Sequence, residues 1–247
     1  MPKVLVINGS PFMAKGNTAK VLTPFIEGMK QAGASVELVY AKRLKVKPCT
    51  GTFYCWYERP GQCIIRDDMQ ALYAMLREVD TLVLATPVYI PLPGEMQNVI
   101  NRLCPLIEPK LDRIQGRTRA KFRTDVKIKR IALVATCGWW EKGNFGTVLR
   151  IVKELARDAS VEFAGAALRP HASLMAENPE KAVKIYETCN QAGFQLVKTG
   201  GIMEDLSRII GRPLISEKKI RQRSNDDTSK VEDEAGKNNP GTKYTTP

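Results

Sequence analysis

Five short apolar runs, each followed by a segment with helical periodicity, dominate the pattern of hydrophobic and polar positions. The runs predict strands over residues 3–8, 36–40, 81–86, 128–135 and 161–168. They are apolar nearly throughout, which is typical of parallel strands that are buried on both faces. Helices are predicted over residues 19–32, from 67 or 68, from 95, over 145–158 and over 179–198. The sequence therefore predicts an α/β fold with a doubly wound, five-stranded parallel sheet and helices on both faces.

The pattern changes after the last of these helices. We interpret residues 1–199 as one α/β domain and residues 200–215 as a small helical appendage. Apolar residues nearly vanish over 216–247, and such a segment cannot bury enough apolar surface to fold alone. We expect this tail to be disordered, with ordering against another subunit as the alternative.

The loop after the first strand carries the first candidate chemistry. Ser10, Asn17 and Thr18 surround the start of the first helix, and Asn17 or Thr18 is its predicted N-cap. Free backbone N–H groups and short polar side chains at a helix start suit a phosphate dianion. The loop lacks both G-x-x-x-x-G-K-[ST] and G-x-G-x-x-G, so a monophosphate fits better than a triphosphate or a dinucleotide. The alternative is an ordinary strand-to-helix turn.

Two further loops fall at the same edge of the predicted sheet, over residues 87–94 and 136–144. Ligands of such sheets bind beyond the carboxyl ends of the strands. Tyr89, Trp139 and Trp140 lie in these loops, where aromatic side chains can cover a flat ring. A phosphate beside a planar ring suggests a mononucleotide such as flavin mononucleotide (FMN). The alternative is that these aromatic residues only cover the edge of the sheet.

Composition and charge narrow the choice of partners. The chain has 247 residues, a formal net charge of +12 and a pI of about 9.5, which raises nucleic acid as a partner. Much of the excess charge lies in residues 110–130, where Phe122 is the one aromatic residue. We interpret this stretch as a solvated basic loop or an inter-subunit arm, with attraction of an anionic cofactor or partner as the alternative. Nucleic acid is not expected.

No apolar run is long enough for a membrane span, and the start of the sequence does not look like a targeting segment. We therefore expect a cytoplasmic protein with no membrane partner.

Six cysteines in a chain of this length do not make a disulfide scaffold. Three of them cluster at Cys49, Cys55 and Cys63, and the other three are scattered at Cys104, Cys137 and Cys189. The pattern indicates reduced thiols or a local site. The sole histidine, His171, is interpreted as a satisfied polar residue at the end of the fifth strand.

Several short motifs together resemble a known family. They are Gly9-Ser10-Pro11, Gly16-Asn17-Thr18, Thr86-Pro87-Val88-Tyr89 and the cysteine-bearing segments at 48–56, 60–63 and 67–69. In this combination, which covers about residues 3–200, the chain resembles the flavodoxin-like NAD(P)H-dependent FMN reductases and their relatives, the iron–sulfur flavoproteins.

The resemblance implies which residues bind the cofactor. Ser10, Gly16, Asn17 and Thr18 would bind the FMN phosphate, residues 87–90 would line the ring and ribityl chain, and residues 136–139 would contact the isoalloxazine. The full implied set is Ser10, Lys15, Gly16, Asn17, Thr18, Pro87, Val88, Tyr89, Ile90, Thr136, Cys137, Gly138 and Trp139. No catalytic side chain is expected because the flavin performs the transfer, with the N–H of Gly138 or Ile90 as a candidate for tuning it.

The implied function is an FMN-dependent oxidoreductase that passes electrons from NAD(P)H to a quinone, a flavin, a nitro compound or a protein. One alternative is an electron carrier, of flavodoxin or iron–sulfur flavoprotein type, that serves protein partners and never oxidises a nicotinamide. A second is a flavin-free scaffold or nucleic-acid-binding module. Family members are commonly dimers or tetramers, so a homodimer or homotetramer is expected.

The sequence departs from the family pattern at its cysteines. Thr52 stands where the compact four-cysteine motif of the iron–sulfur flavoproteins has its second cysteine, which leaves Cys49, Cys55 and Cys63. A cubane cluster takes four thiolates, and zinc would also need a fourth ligand. We therefore predict no metal site. A structural loop with buried thiols is favoured, while an iron–sulfur cluster and a redox or regulatory thiol remain alternatives.

Overall fold

A computed structural model describes residues 1–114 and 116–238 of the chain, and only the backbone for 231–238. The chain divides into two compact units, Met1–Arg212 and Pro213–Pro247.

The first unit is built on a five-stranded sheet. Its strands are β1 (Lys3–Asn8), β2 (Ser35–Tyr40), β3 (Thr81–Pro87), β6 (Arg130–Thr136) and β7 (Glu162–Arg169). They lie in the order β2-β1-β3-β6-β7, and every pairing between neighbours is parallel. This arrangement confirms the predicted flavodoxin-like fold. The chain leaves β1 toward β2 on one side and later returns to β3 on the other, so a crevice opens beyond the ends of β1 and β3.

Helices cover both faces of the sheet, as predicted. They are α1 (Asn17–Gln31), α2 (Tyr54–Tyr57), α3 (Met69–Glu78), α4 (Gly94–Asn101), α5 (Gly146–Asp158), α6 (Pro179–Thr199) and α7 (Glu204–Ile210). Apolar residues of α3, α4 and α5, such as Leu72, Val99 and Val152, join Leu5 and Ile7 of β1 in one buried core.

Helices α1 and α6 pack closely against each other at two glycines. A Cβ atom at Gly28 would collide with the Asn190 carbonyl of α6, and one at Gly193 would collide with the Phe25 carbonyl of α1. The close approach of the two backbones therefore requires glycine at both positions.

The start of α1 differs from the prediction. The N-cap is Gly16 rather than Asn17 or Thr18, and no side chain caps the helix. Asn17 already belongs to the helix, and the Thr18 hydroxyl is hydrogen-bonded to Thr136 instead. The extended backbone of Gly16 (φ −76°, ψ 159°) makes the entry into the helix.

The basic stretch is largely exposed, as the interpretation of a solvated loop expects, but it also contains regular structure that the sequence did not predict. It contains a two-stranded antiparallel hairpin of β4 (Asp112–Ile114) and β5 (Arg117–Arg119). Arg119 forms a 3.0 Å ion pair with Asp158 of α5, and Arg123 donates to the Pro105 carbonyl at 2.9 Å. Several of these charges are therefore engaged within the fold.

The predicted appendage is attached to the sheet. Ile202 donates its N–H to the Ala164 carbonyl of β7 at 2.7 Å, and the Ser207 hydroxyl of α7 donates to the Ala166 carbonyl at 2.7 Å. A domain boundary at residue 199 stays a prediction.

The second unit contains the helix α8 (Glu217–Asn238), where the sequence predicts a disordered tail. Local contacts accompany this helix, such as the ion pair of Arg221 with Glu217 at 3.6 Å, one turn apart. The rest of the predicted tail, 239–247, lies outside the described residues. Among the helices of the described residues, none combines the length and apolar character needed to cross a membrane.

Candidate functional site

The loops at the carboxyl ends of β1, β3 and β6 enclose a cavity of about 180 Å³. Its lining residues are Ser10, Phe12, Asn17, Thr18, Pro87, Val88, Tyr89, Thr136, Cys137 and Gly138. All three loops predicted from the sequence contribute to this one cavity. It lies beyond the strand ends, where ligands of doubly wound sheets bind.

Hydrogen bonds join the three loops to one another. The Val88 N–H donates to the Thr136 carbonyl at 2.7 Å, which links the second loop to the third. The hydroxyls of Thr18 and Thr136 are 2.9 Å apart, which links the start of α1 to the third loop. Both threonines are buried, so this bond is shielded from water. These two bonds fix the three loops relative to one another.

The start of α1 is suited to an anion. The first N–H groups of a helix have no intrahelical partner, and no side chain caps this one. A Cβ atom at Gly16 would collide with the Ser10 hydroxyl, so glycine keeps this corner open. Asn8 accepts the Ser10 N–H at 2.8 Å, and its buried Nδ2 has no hydrogen-bond partner among the described residues. These observations fit a phosphate group with several acceptor oxygens.

Four residues of the predicted set do not line this cavity. They are Lys15, Gly16, Ile90 and Trp139, which flank the lining residues along the chain. Ile90 and Trp139 are strongly exposed, at 101% and 71%.

Phe12 lines the cavity but is absent from the set predicted from the sequence. Its side chain is 69% exposed. The sequence offered one signal for Phe12 as a site residue, namely an aromatic residue within a loop of small polar residues.

Two buried basic residues support the third loop from behind. The Arg169 carbonyl accepts the Cys137 N–H, and the Trp139 carbonyl accepts the His171 N–H, each at 3.2 Å. Arg169 is fully buried and donates to the carbonyls of Ile210 and Arg212, at 2.6 and 2.8 Å, and to Nε2 of His171, at 3.1 Å. Burial lowers the pKa of Arg169 to about 10. These bonds hold the loop at its position.

The His171 ring is neutral in this arrangement. Arg169 can only donate, so Nε2 of His171 must accept and the ring proton lies on Nδ1. Burial, together with the neighbouring Arg169 charge, lowers the pKa of His171 to about 4. His171 is therefore a buried, neutral side chain just beyond the end of β7.

The three cysteines of the cysteine segment differ in exposure. Cys49 is exposed, Cys55 is half-buried and Cys63 is buried. The part of the chain that the structure describes contains no group of three or more His, Cys, Asp or Glu side chains arranged to hold a metal ion. Cys104 lies outside the cysteine cluster in the sequence, but in the structure it is hydrogen-bonded to Cys55.

The parallel order β2-β1-β3-β6-β7 defines a flavodoxin-like fold, and a loop suited to a phosphate lies at its switch point. The chain belongs to the NADPH-dependent FMN reductase family, whose family model matches residues 2–145. This match confirms the resemblance drawn from the motifs and supports FMN as the cofactor.

Curated relatives are iron–sulfur flavoproteins. One from Archaeoglobus fulgidus is 35% identical over 104 residues, which cover 42% of this chain and 46% of the relative. One from Methanosarcina thermophila is 29% identical over 101 residues, which cover 40% of this chain and 51% of the relative. The chain thus spans about half the length of the curated relatives it matches.

Solved structures show the same fold. An FMN-dependent NADH-azoreductase from Bacillus anthracis, in complex with FMN, has a TM-score of 0.57 at 15% identity, covering 80% of this chain and 100% of that one. An NAD(P)H:quinone oxidoreductase from Methanothermobacter marburgensis has a TM-score of 0.56 at 15% identity, covering 79% and 98%. At these identities the likeness is one of fold.

Proposed function

We propose that this protein is an FMN-dependent oxidoreductase that takes electrons from NAD(P)H and delivers them to a quinone, a flavin, a nitro compound or a protein. The observation that carries the proposal is the 180 Å³ cavity, which combines an uncapped helix start with loops from three strand ends. Membership of the NADPH-dependent FMN reductase family supports the same chemistry.

The first loop would hold the phosphate of FMN. The Ser10 hydroxyl, the Asn17 amide and the first N–H groups of α1 are donors at one end of the cavity. The described residues place no acidic side chain among those that line the cavity, so its lining does not repel an anion. The helix dipole adds favourable electrostatics at the same point.

The second and third loops would cover the flavin ring. Tyr89 lines the cavity and is 48% exposed, and the neighbouring Ile90 and Trp139 are also exposed. Exposed large apolar side chains in neighbouring loops are typical of a surface that binds a flat ring or another chain. A second copy of the chain would shield this surface, which supports a homodimer or homotetramer.

Bound FMN would supply the chemistry of accepting a hydride from the nicotinamide and passing on its electrons. The protein's part is to bind and orient the cofactor and to limit the access of water. The Thr18–Thr136 bond and the Val88–Thr136 bond would hold the three loops at fixed positions for this task.

Steady-state oxidation of NADH and NADPH by the FMN-loaded chain tests the proposal, with a quinone, a nitro compound and free flavin as separate acceptors. We expect turnover with at least one donor and one acceptor. FMN binding without nicotinamide oxidation, with any acceptor, would refute the reductase and leave the electron carrier.

Two variants test whether the first loop holds the cofactor. Ser10→Ala and Asn17→Ala should each weaken FMN binding about tenfold or more, because a hydrogen bond to a charged group contributes about 1.5–3 kcal/mol. Asn101→Ala is the matched control. Asn101 is an exposed asparagine at the last position of α4, and it is not among the residues that line the cavity. Equal affinity in all three variants would refute this placement of the phosphate.

A further inference from the structure

Arg102 holds the cysteine segment against the chain that follows α4. Its side chain is buried and forms a 2.9 Å ion pair with Asp67. The same guanidinium donates to the carbonyl of Lys47 at 2.8 Å and to that of Ile65 at 3.3 Å. Both ends of the cysteine segment are therefore fixed to a residue that lies two positions before Cys104.

Further bonds bring the middle of the segment to Cys104 itself. The Trp56 indole N–H donates to the Cys104 carbonyl at 3.1 Å. Arg123 donates to the Pro105 carbonyl at 2.9 Å and to the Cys55 carbonyl at 3.5 Å, so one side chain bridges the two segments. The thiols of Cys55 and Cys104 are hydrogen-bonded to each other at this junction.

The other two cysteines of the segment have different surroundings. Cys63 is buried and its thiol interacts with the Tyr73 hydroxyl. Cys49 is exposed, on the chain just beyond Lys47. Both also lie near enough to Cys104 to interact with it electrostatically, but Cys55 is the one of the three that is hydrogen-bonded to it.

The two thiols are unequal in acidity. The hydrogen bond from Cys104 and the charges of Arg123 and Arg102 lower the pKa of Cys55 to about 7, against the opposing effect of burial. The hydrogen bond to Cys55, together with burial, raises the pKa of Cys104. Cys55 is thus the thiol of the pair that reacts first, as the nucleophile, and Cys104 is the thiol that reacts second.

We propose that Cys55 and Cys104 form a dithiol–disulfide couple that is oxidised by hydrogen peroxide. In the first step the Cys55 thiolate attacks one peroxide oxygen, the O–O bond breaks, and the hydroxide released takes a proton to become water. In the second step Cys104 loses its proton and attacks the Cys55 sulfenic acid. The S–S bond forms, the S–O bond breaks, and a second water leaves. Two thiols lose two electrons in total, and one peroxide gains them.

The experiment uses the reduced full chain, treated with stoichiometric peroxide at pH 7, blocked with N-ethylmaleimide and digested without reduction. Trypsin leaves Cys49, Cys55 and Cys63 in one peptide, because Lys47 and Arg59 each precede proline. Chymotrypsin is therefore added to cut at Tyr54 and Trp56. We expect a mass-spectrometric cross-link between Cys55 and Cys104. A cross-link to Cys49 or Cys63, or none, would refute the proposal.

Three variants separate the roles of the thiols. Cys104→Ala should stop the reaction at the Cys55 sulfenic acid, which dimedone traps, and should raise the midpoint of the pH profile for Cys55 alkylation. Cys55→Ser should leave Cys104 unreactive, and the matched control Cys49→Ser should still form the disulfide. At pH 7 about half of Cys55 is thiolate, so it should react about tenfold faster than an ordinary thiol of pKa about 8.5. Bound iron or zinc that protects all these thiols from peroxide would contradict the proposal.

Discussion

Acidification should destabilise this protein through its single histidine. His171 is 1% exposed and its Nε2 accepts a hydrogen bond from Arg169 at 3.1 Å. Protonation would remove that acceptor and place a second cation beside the guanidinium. The folded chain therefore resists protonation, while the unfolded chain binds a proton near the ordinary pKa of 6.5.

The sign and size of the effect follow from linkage. Because the folded pKa of about 4 lies below the unfolded value of 6.5, this contribution to stability is present above pH 6.5 and is lost as the pH falls toward 4. With these two values, the free energy of unfolding should fall by about 2 kcal/mol between pH 7 and pH 5.

Urea unfolding at several pH values measures this slope. His171→Asn is the comparison variant, because asparagine tolerates the left-handed backbone at this position (φ 36°) and does not titrate. The difference between the two proteins isolates the histidine from the carboxylates. Equal slopes, or a histidine ring resonance of the folded protein that titrates near pH 6.5, would refute the reasoning.

Two stability predictions follow from buried contacts. Gly193→Ala should destabilise the fold by about 1–3 kcal/mol or more, because the new methyl group would collide with the backbone of α1. The control Gly146→Ala, in open space at the start of α5, should be neutral or slightly stabilising. Asp67→Asn should lower the free energy of unfolding by about 3–5 kcal/mol, because it leaves the buried Arg102 charge unpaired. The control Asp125→Asn, at an exposed ion pair, should lower it by less than about 1 kcal/mol. Urea unfolding at pH 7 measures all four, and equal costs within either pair would contradict the packing or the ion-pair argument.

The sheet and its ligand edge were predictable because they follow from local patterns. Apolar runs fix the buried strands, and in a parallel sheet every strand delivers its following loop to the same edge. Ser10, Tyr89 and Thr136 could therefore be assigned to one cavity although they lie far apart in the sequence.

The features that escaped prediction depend on tertiary contacts. No local pattern pairs Cys55 with Cys104, because Arg102 and Arg123 bring their segments together across the fold. Likewise, Arg119 looks solvated in the sequence until α5 places Asp158 beside it. The N-cap at Gly16 was missed because Thr18 finds its partner on a distant strand.

The most direct test of the central claim is an equilibrium titration of the apoprotein with FMN and with riboflavin, followed by flavin fluorescence. The two ligands share the ring and differ in the phosphate that the start of α1 would bind. We predict one FMN per chain, bound at least about 100-fold more tightly than riboflavin, since two charge-assisted hydrogen bonds supply about 3 kcal/mol or more. Equal affinity for the two flavins, or no binding of FMN, would contradict the account.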